Sequence, residues 1–375
     1  MDARLIVVIG GGIAGLTFAA LHRQNGGAVL VLDQTAEDSG EDGKSVVIGA
    51  RSMALLEKAG IKSASQVPLS RLRVFFENAP GGGVIQDGII GYGIAHREVR
   101  RELLDIVGGY TRAEVKSLTE EKDAVHVAHQ TSDGRTQVIK AAAAVVACAA
   151  PFLPPSFVSR DFDFGQGMIS FAATAKNMPP GDAVEGFTRH GIVAVVPRTD
   201  SQKGIIVCAD ESEAGKMMAQ PDDVLMSKIN DVFGGEFGFH SPGERVVYAP
   251  RFRRASPQAA GRIALLGAGA TIPHPAGAQG LNLGLADAEC LSQLLKGEVT
   301  DIPRATSAYC RRRTAAHGLT AAMTSALAAG GHCRQWPFRI VGGAAAMALF
   351  AAAAPFRRSL LAHIAGIDEI PPPAE

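Results

Sequence analysis

Gly10, Gly12 and Gly15 follow an unbroken apolar run, Leu5 to Ile9, and open a segment, Ile13 to Leu21, that reads as a helix. The run has the pattern of a strand buried on both faces of a parallel sheet. Glycines at this G-x-G-x-x-G spacing bring backbone against a pyrophosphate. The first makes the tight turn, the second admits the phosphates, and the third lets the helix pack on its strand. Unpaired N–H groups of the first helical turn, at Ile13 and Ala14, and the positive end of the helix dipole then hold the anion. A second apolar run, Ala28 to Leu32, ends in Asp33, eighteen residues after Gly15. A carboxylate in that place receives the ribose hydroxyls of an adenosine half. An acid rather than a base there favours NAD or FAD over NADP at this site. A tight turn with no ligand is the plain alternative, and the order strand, motif, helix, strand, acid weighs against it.

More than 250 residues further on, the chain is glycine-rich again. Ala264-Leu265-Leu266-Gly267-Ala268-Gly269 is followed by His274-Pro275-Ala276-Gly277-Ala278-Gln279-Gly280-Leu281-Asn282-Leu283-Gly284. One such segment suggests a dinucleotide. Two suggest FAD laid across the molecule with one segment at each end.

The elements that must position these segments alternate in type. Ser45 to Gly49 reads as a short strand, Arg51 to Ala59 as a helix closed by Gly60, and Arg97 to Val107 as a helix ended by Gly108-Gly109. Two strands with a turn at Ser132-Asp133-Gly134 lead to the buried run Ala141 to Ala147. Prolines at 151, 154 and 155 break the chain there. A β-rich stretch follows, with strands at Met168 to Thr174, Gly191 to Val196 and Gly204 to Val207, and a helix at Asp222 to Phe233. Arg262 to Leu266 returns to the first sheet. The fold class implied is α/β: a Rossmann-like FAD-binding domain (1–164 and 255–300), an inserted β-sheet substrate domain (165–254) and a C-terminal helical region (301–375).

Composition narrows the partners. The 37 basic and 37 acidic residues among 375 cancel, and nothing recommends nucleic acid. Five dispersed cysteines (148, 208, 290, 310 and 333) without a C-x-x-C pair read as thiols in a reducing cytosol, with no metal site. The opening residues belong to the first strand rather than to a targeting signal, so a cytoplasmic protein is expected. Ile340 to Phe356, seventeen residues without a charge, is short for a membrane span. A helix packed on the body is favoured over peripheral membrane contact.

The order and motifs resemble the group A flavoprotein monooxygenases, the aromatic-hydroxylase fold, and within them most closely the ubiquinone-biosynthesis hydroxylases. Asp33 stands where that family more often has glutamate. Lys44-Ser45-Val46-Val47, leading to Leu55-Leu56-Glu57-Lys58-Ala59-Gly60, is similar to a segment whose arginine touches the cofactor, here replaced by Lys44. His96-Arg97 resembles the start of an arginine-led helix beside the cofactor. Phe187, Gly191 and Pro197 resemble the substrate sheet, and Tyr248-Ala249-Pro250 its return. The resemblance places Pro275 and the loop from Gly277 to Asn282 against the isoalloxazine ring, with N–H groups of Gly280, Leu281 and Asn282 supporting negative charge on reduced flavin. Three further places depart from the family: Cys148-Ala149-Ala150 replaces an Asp-Gly pair, Ala268 replaces the aspartate of a Gly-Asp pair that bonds a ribityl hydroxyl, and Ala278 replaces the first glycine of Gly-Gln-Gly.

What the resemblance implies is reduction of FAD by NADPH or NADH, followed by transfer of one oxygen atom of O2 from a C4a-hydroperoxyflavin to an aromatic, quinonoid or natural-product precursor, a peptide included. Two other functions stay open on the residues alone. One is a flavin-fold protein without turnover that serves as a binding or scaffold partner, which Ala149, Ala150 and Ala268 motivate. The other is an FAD oxidase or dehydrogenase with another electron donor. No catalytic acid or base is assigned. His274, His190 and Tyr248 are each readable as structural, and Arg251, Arg253 and Arg254 as a solvated face or an anion site. The substrate and the oligomeric state are not encoded in any motif.

Overall fold

The computed structural model describes residues 4–35, 44–62, 66–77, 83–85, 88–188, 190–248, 251–297 and 301–332. The apolar segment 340–356 and the proline tail lie outside these residues.

Strand Ile6–Ile9 is buried along its whole length because it sits mid-sheet, paired in parallel with Val29–Asp33 on one side and Ala143–Val146 on the other. Its alternate residues enter two separate cores: Ile6 and Val8 join one, Val7 and Ile9 the other. Ile263–Leu265 extends the parallel sheet beyond Ala143–Val146, and Thr111–Glu120 extends it beyond Val29–Asp33. A hairpin, Val125–Thr131 and Thr136–Ala141, completes the far edge through the turn expected at residues 132–134. This brings both ends of the predicted nucleotide-binding chain, near Ile9 and near Leu265, to adjacent positions.

Three helices cover the first core. Helix α1 (Ile13–Gln24) follows the first strand, α2 (Ala50–Ala59) ends at Gly60 with φ +115°, and α3 (His96–Val107) carries Leu103 and Leu104 inward. Helices α4 (Glu211–Ala219) and α5 (Asp222–Val232) back a second sheet. Helices α6 (Gln279–Leu294) and α7 (Ile302–His332) close the first unit, where the α7 Tyr309 hydroxyl donates to the Leu265 carbonyl at 2.7 Å.

The second sheet runs in the order Phe239–His240, Gln166–Ala175, Gln202–Asp210, Gly191–Pro197, Asp182–Thr188, Arg71–Phe76, Gly83–Ile85, with Val246–Tyr248 also paired to Gln166–Ala175. Two of these strands come from outside residues 165–254, since Asp182–Thr188 pairs in parallel with Arg71–Phe76. That pairing was not readable in advance. Arg71 and Arg73 interrupt one apolar run, and Glu185 and Gly186 the other. One face of this sheet packs Phe171, Val184, Val193 and Ile205 against α4 and α5, and its other face looks towards the loop before α6.

Candidate functional site

The turn after Ile9 is held by chain geometry. Gly10 has φ +111°, and a Cβ at Gly15 would lie 2.2 Å from the Gly10 carbonyl oxygen, so α1 packs here only with glycine. Gly12 is exposed, with open space where a side chain would project. No side chain caps α1, so the N–H groups of its first turn, at Ile13 and Ala14, have no capping side chain beside the open space at Gly12.

Asp33 stands at the end of its strand beside this turn. Its Oδ2 accepts the Gly11 N–H at 2.5 Å, and its Oδ1 accepts the Thr35 N–H and hydroxyl at 2.8 and 2.6 Å. Cys148 sits across from Gly10, and its thiol is pushed up to about 11 by burial and by the charge of Asp33. It is therefore a neutral thiol in ordinary conditions. Ala149 is exposed next to it and Ala150 is buried.

Arg97 lies half-buried in the first turn of α3. One turn further, Arg100 donates from Nε to the Gly11 carbonyl at 2.9 Å and lies 5.8 Å from the Tyr110 ring centroid. The Tyr110 hydroxyl in turn donates to the Thr35 carbonyl at 2.7 Å. Arg100 and Tyr110 thus brace the turn and the Asp33 end together. No motif marks Tyr110, whereas Arg100 is three residues from Arg97 and shares its helix face.

The second glycine segment reaches the same crevice. Residues Gly267–Gly269 form a 3-10 turn with Ala268 on its exposed side. Gly284 of α6 approaches so closely that a Cβ there would lie 3.1 Å from Gly267 Cα and 3.0 Å from Ala14 Cβ. The starts of α1, the 3-10 turn and α6 therefore meet. Behind the turn, Asp287 is fully buried. Its Oδ2 accepts the Gly267 N–H at 2.9 Å, and its Oδ1 faces Arg313 Nε at 2.7 Å and His317 Nε2 at 3.1 Å. Burial by itself would raise the Asp287 pKa, but His317, Arg313 and the Gly267 N–H hold the carboxyl below the usual aspartate range. Nothing in the spacing of the glycine segments singles out Asp287.

Pro275 leads into a loop shaped by its own side chains. Gln279 Nε2 donates to the Gly277 carbonyl at 2.8 Å, and Asn282 Oδ1 accepts the Gly49 N–H at 2.9 Å, tying the α6 start to the α2 start. Ala278 precedes α6 with φ 52° and ψ 34°, and no side chain caps the helix. Gly280 and Leu281 occupy its uncapped first turn. A left-handed alanine costs about 1–2 kcal/mol in the folded state. Ala278→Gly is expected to raise stability by about 0.5–1 kcal/mol, part of the relief being offset by the freer unfolded chain. Urea unfolding midpoints check this, and an unchanged or lower midpoint would show that the alanine is accommodated without strain.

His274 is 1 % exposed and links this loop to the second sheet. Its Nδ1 accepts the Ala276 N–H at 3.1 Å, which places the ring proton on Nε2, 2.7 Å from Gln166 Oε1. The Cys208 thiol also donates to Gln166 Oε1, at 3.3 Å, and burial pushes that thiol up to about 12. His274 is thus a neutral ring holding the loop to the sheet. Tyr248 is half-buried, with Lys44 Nζ 5.5 Å from its ring centroid. Arg198 holds the residue before strand Ser45–Gly49 by donating to the Lys44 carbonyl at 3.1 Å. His190 is exposed on a turn, Arg251 is exposed, and Arg253 pairs with Asp161 at 3.2 Å. Among the described residues no group of His, Cys, Asp or Glu could hold a metal ion, and no helix is long and apolar enough to cross a membrane.

The crevice fits FAD on its own chemistry. Two uncapped helix starts face it, glycine opens space at position 12, and a carboxylate lies at one end. The family model for the FAD binding domain matches residues 4–316. The chain belongs to this family, the group A flavin monooxygenases.

It is an FAD-dependent monooxygenase, and NAD(P)H is the electron donor typical of the family. Among relatives, it is 24% identical to ubiquinone hydroxylase UbiL of Rhodospirillum rubrum over 77% of this chain and 72% of that protein. It is 26% identical to rifampicin monooxygenase of Rhodococcus hoagii over 78% of this chain, but spans only 64% of that longer protein. The fold is shared with Klebsiella pneumoniae HpxO complexed with FAD and uric acid, at TM-score 0.76 and 17% identity over 96% of both chains. It is shared equally with p-nitrophenol 4-monooxygenase PnpA of Pseudomonas putida, at TM-score 0.74 and 16% identity over 98% of both chains.

Proposed function

We propose that the chain hydroxylates a small aromatic or quinonoid molecule, holding FAD between its two glycine segments and the substrate between FAD and the second sheet. The observation that carries this reading is the meeting of the α1 start, the 267–269 turn and the α6 start on one crevice, with an apolar sheet face opposite the 275–282 loop. Gly10, Gly12 and Gly15 shape the pyrophosphate turn, the N–H groups of Ile13 and Ala14 receive its charge, and Asp33 receives the ribose. Lys44 and Arg97 supply positive charge along the cofactor. Gly267 and Ala268 lie beside the ribityl chain. Pro275, Gly277, Ala278, Gln279, Gly280, Leu281 and Asn282 lie against the ring.

FAD held there would supply the hydride-accepting and O2-activating chemistry, with NADPH or NADH as donor; the protein supplies position, polarity and exclusion of water. Uncapped N–H groups at the α6 start would stabilise negative charge on a bound ring upon its reduction. The His274–Gln166 bond keeps the loop seated on the substrate sheet during that change. The cofactor unit is residues 1–164 with 255–300, apart from the strands near 71–85 given to the substrate unit at 165–254, and the third region starts at 301, helical over Ile302–His332. A cytoplasmic enzyme is the simplest setting for a soluble reductant. Natural-product aromatics and modified peptides belong in the substrate panel because this fold hosts varied substrates.

Purified protein should be yellow or become so with added FAD. NADPH and NADH oxidation with phenols, quinone precursors, polycyclic aromatics and peptides, scored by mass, should yield a product heavier by one oxygen atom. A colourless protein that gains no flavin spectrum in excess FAD overturns the reading. A yellow protein that oxidises neither nicotinamide with any member of the panel leaves a flavoprotein with another electron donor.

A further inference from the structure

The face of the second sheet that looks towards the 275–282 loop can be read from strand register. Glu185 stands between Val74 and Ala194 on neighbouring strands, and Ala194 is followed across the sheet by Ile206. Two residues along, Phe187 faces Ile192, then Cys208, then Met168. Side chains two apart on a strand share a face. Met168, Phe187, Ile192 and Cys208 are buried there with Ala276 of the loop. Glu185 is thus an acid set into an apolar wall.

Its carboxyl has one contact with the loop, accepting the Gly277 N–H at 3.4 Å. Among the described residues no cation pairs with it. Burial raises its pKa, and the Gly277 bond only partly offsets that. Glu185 is half-buried, and if accepting one long N–H bond were its whole duty, glutamine would serve as well without partly desolvating an ionisable group. A carboxyl held between the second sheet and the 275–282 loop, with no cation partner among the described residues, has the character of a group used on a ligand.

We propose that Glu185 reads the substrate: it accepts the hydroxyl of a phenolic ring laid on Phe187, Ile192 and Met168, and takes that proton. This rests on the monooxygenase reading above. In the step, the phenolic O–H bond breaks and a carboxyl O–H bond forms. The electron pair stays on the ring oxygen, and nothing is oxidised or reduced. The ring becomes richer in electrons, which is what attack on an electrophilic oxygen requires. Glu185 also holds the Gly277 N–H, so an occupied hydroxyl subsite is felt directly by the flavin loop.

The test uses FAD-loaded protein without reductant and two probes, 4-nitrophenol and its methyl ether 4-nitroanisole, just below neutral pH. Wild type should bind the phenol about tenfold or more tightly than the ether, the range for a hydrogen bond to a charged group. Its difference spectrum should show the nitrophenolate band. Glu185→Gln should bring the two affinities together and abolish the band with FAD content unchanged, and Glu185→Asp should restore part of the preference. Wild type that binds both probes equally, or neither, overturns the proposal without any variant having to fold. Persistence of preference and band in Glu185→Gln overturns it too. A protein that takes up no FAD fails the monooxygenase reading instead, so the two failures are distinguishable.

Discussion

Asp287→Asn is expected to destabilise the protein by about 3–5 kcal/mol, the usual cost of stranding one member of a buried ion pair. Asp287 is 0 % exposed and Arg313 4 %, so neither reaches water when the other is lost. An asparagine has one acceptor oxygen for two places, the Gly267 N–H and Arg313 Nε, and its amide nitrogen would face a donor. Chemical unfolding of wild type and variant measures the loss. A difference below about 1 kcal/mol would show that the pair is dispensable. The charge explanation has its own control. Replacing both Asp287 and Arg313 by apolar residues of similar size should recover much of the stability, because a buried pair is worth little against good packing.

The same carboxylate sets an acid dependence. Its folded pKa lies below the ordinary aspartate value, so its contribution is fully present above that ordinary value. It is lost as pH falls from there through the folded value. Stability of wild type should therefore drop more steeply on acidification than that of Asp287→Asn, and parallel curves would count against the assignment. Because Asp287 anchors the Gly267 N–H, the variant should also hold FAD more weakly at neutral pH.

The glycine segments were legible because their chemistry is local. Spacing points to the Gly10 turn and the Asp33 strand end, the family resemblance marks the loop before α6, and apolar runs locate the parallel strands. What stayed hidden depends on partners far apart in the chain. Asp287, Arg313 and His317 lie on two helices and look in sequence like ordinary polar positions; only the packing of α6 on α7 makes them a unit. Glu185 interrupts an apolar run and so concealed its own strand, while register alone shows which face it occupies. Residue type and helix face do not separate Arg97 from Arg100; only the packing of α3 against the turn shows that it is Arg100 that meets Gly11. The His274 ring was visible as a neighbour of the loop, but its bond to Gln166 spans 108 residues.

Ala268→Asp is expected to tighten FAD binding by roughly 5- to 150-fold, which corresponds to about 1–3 kcal/mol for one hydrogen bond to an otherwise unserved hydroxyl. Family resemblance identifies the position as that of an aspartate that bonds the ribityl chain, and the structure supplies the room. Ala268 is on the exposed side of its 3-10 turn, whereas Asp287 serves the same turn from behind and is spent on Gly267, Arg313 and His317. Asp287 therefore cannot stand in for the missing carboxylate. The new charge would sit near Asp287, yet Arg313 and His317 already balance that group, so repulsion between the two acids is muted. Titrating FAD into the apoproteins and following flavin fluorescence gives both affinities. An unchanged or weaker affinity would mean that the cofactor runs past position 268 without a hydroxyl in reach. A gain confined to the double variant Ala268→Asp, Ala278→Gly would instead show that the alanine at 278 displaces the flavin end of the crevice, because the two substitutions would then couple rather than add.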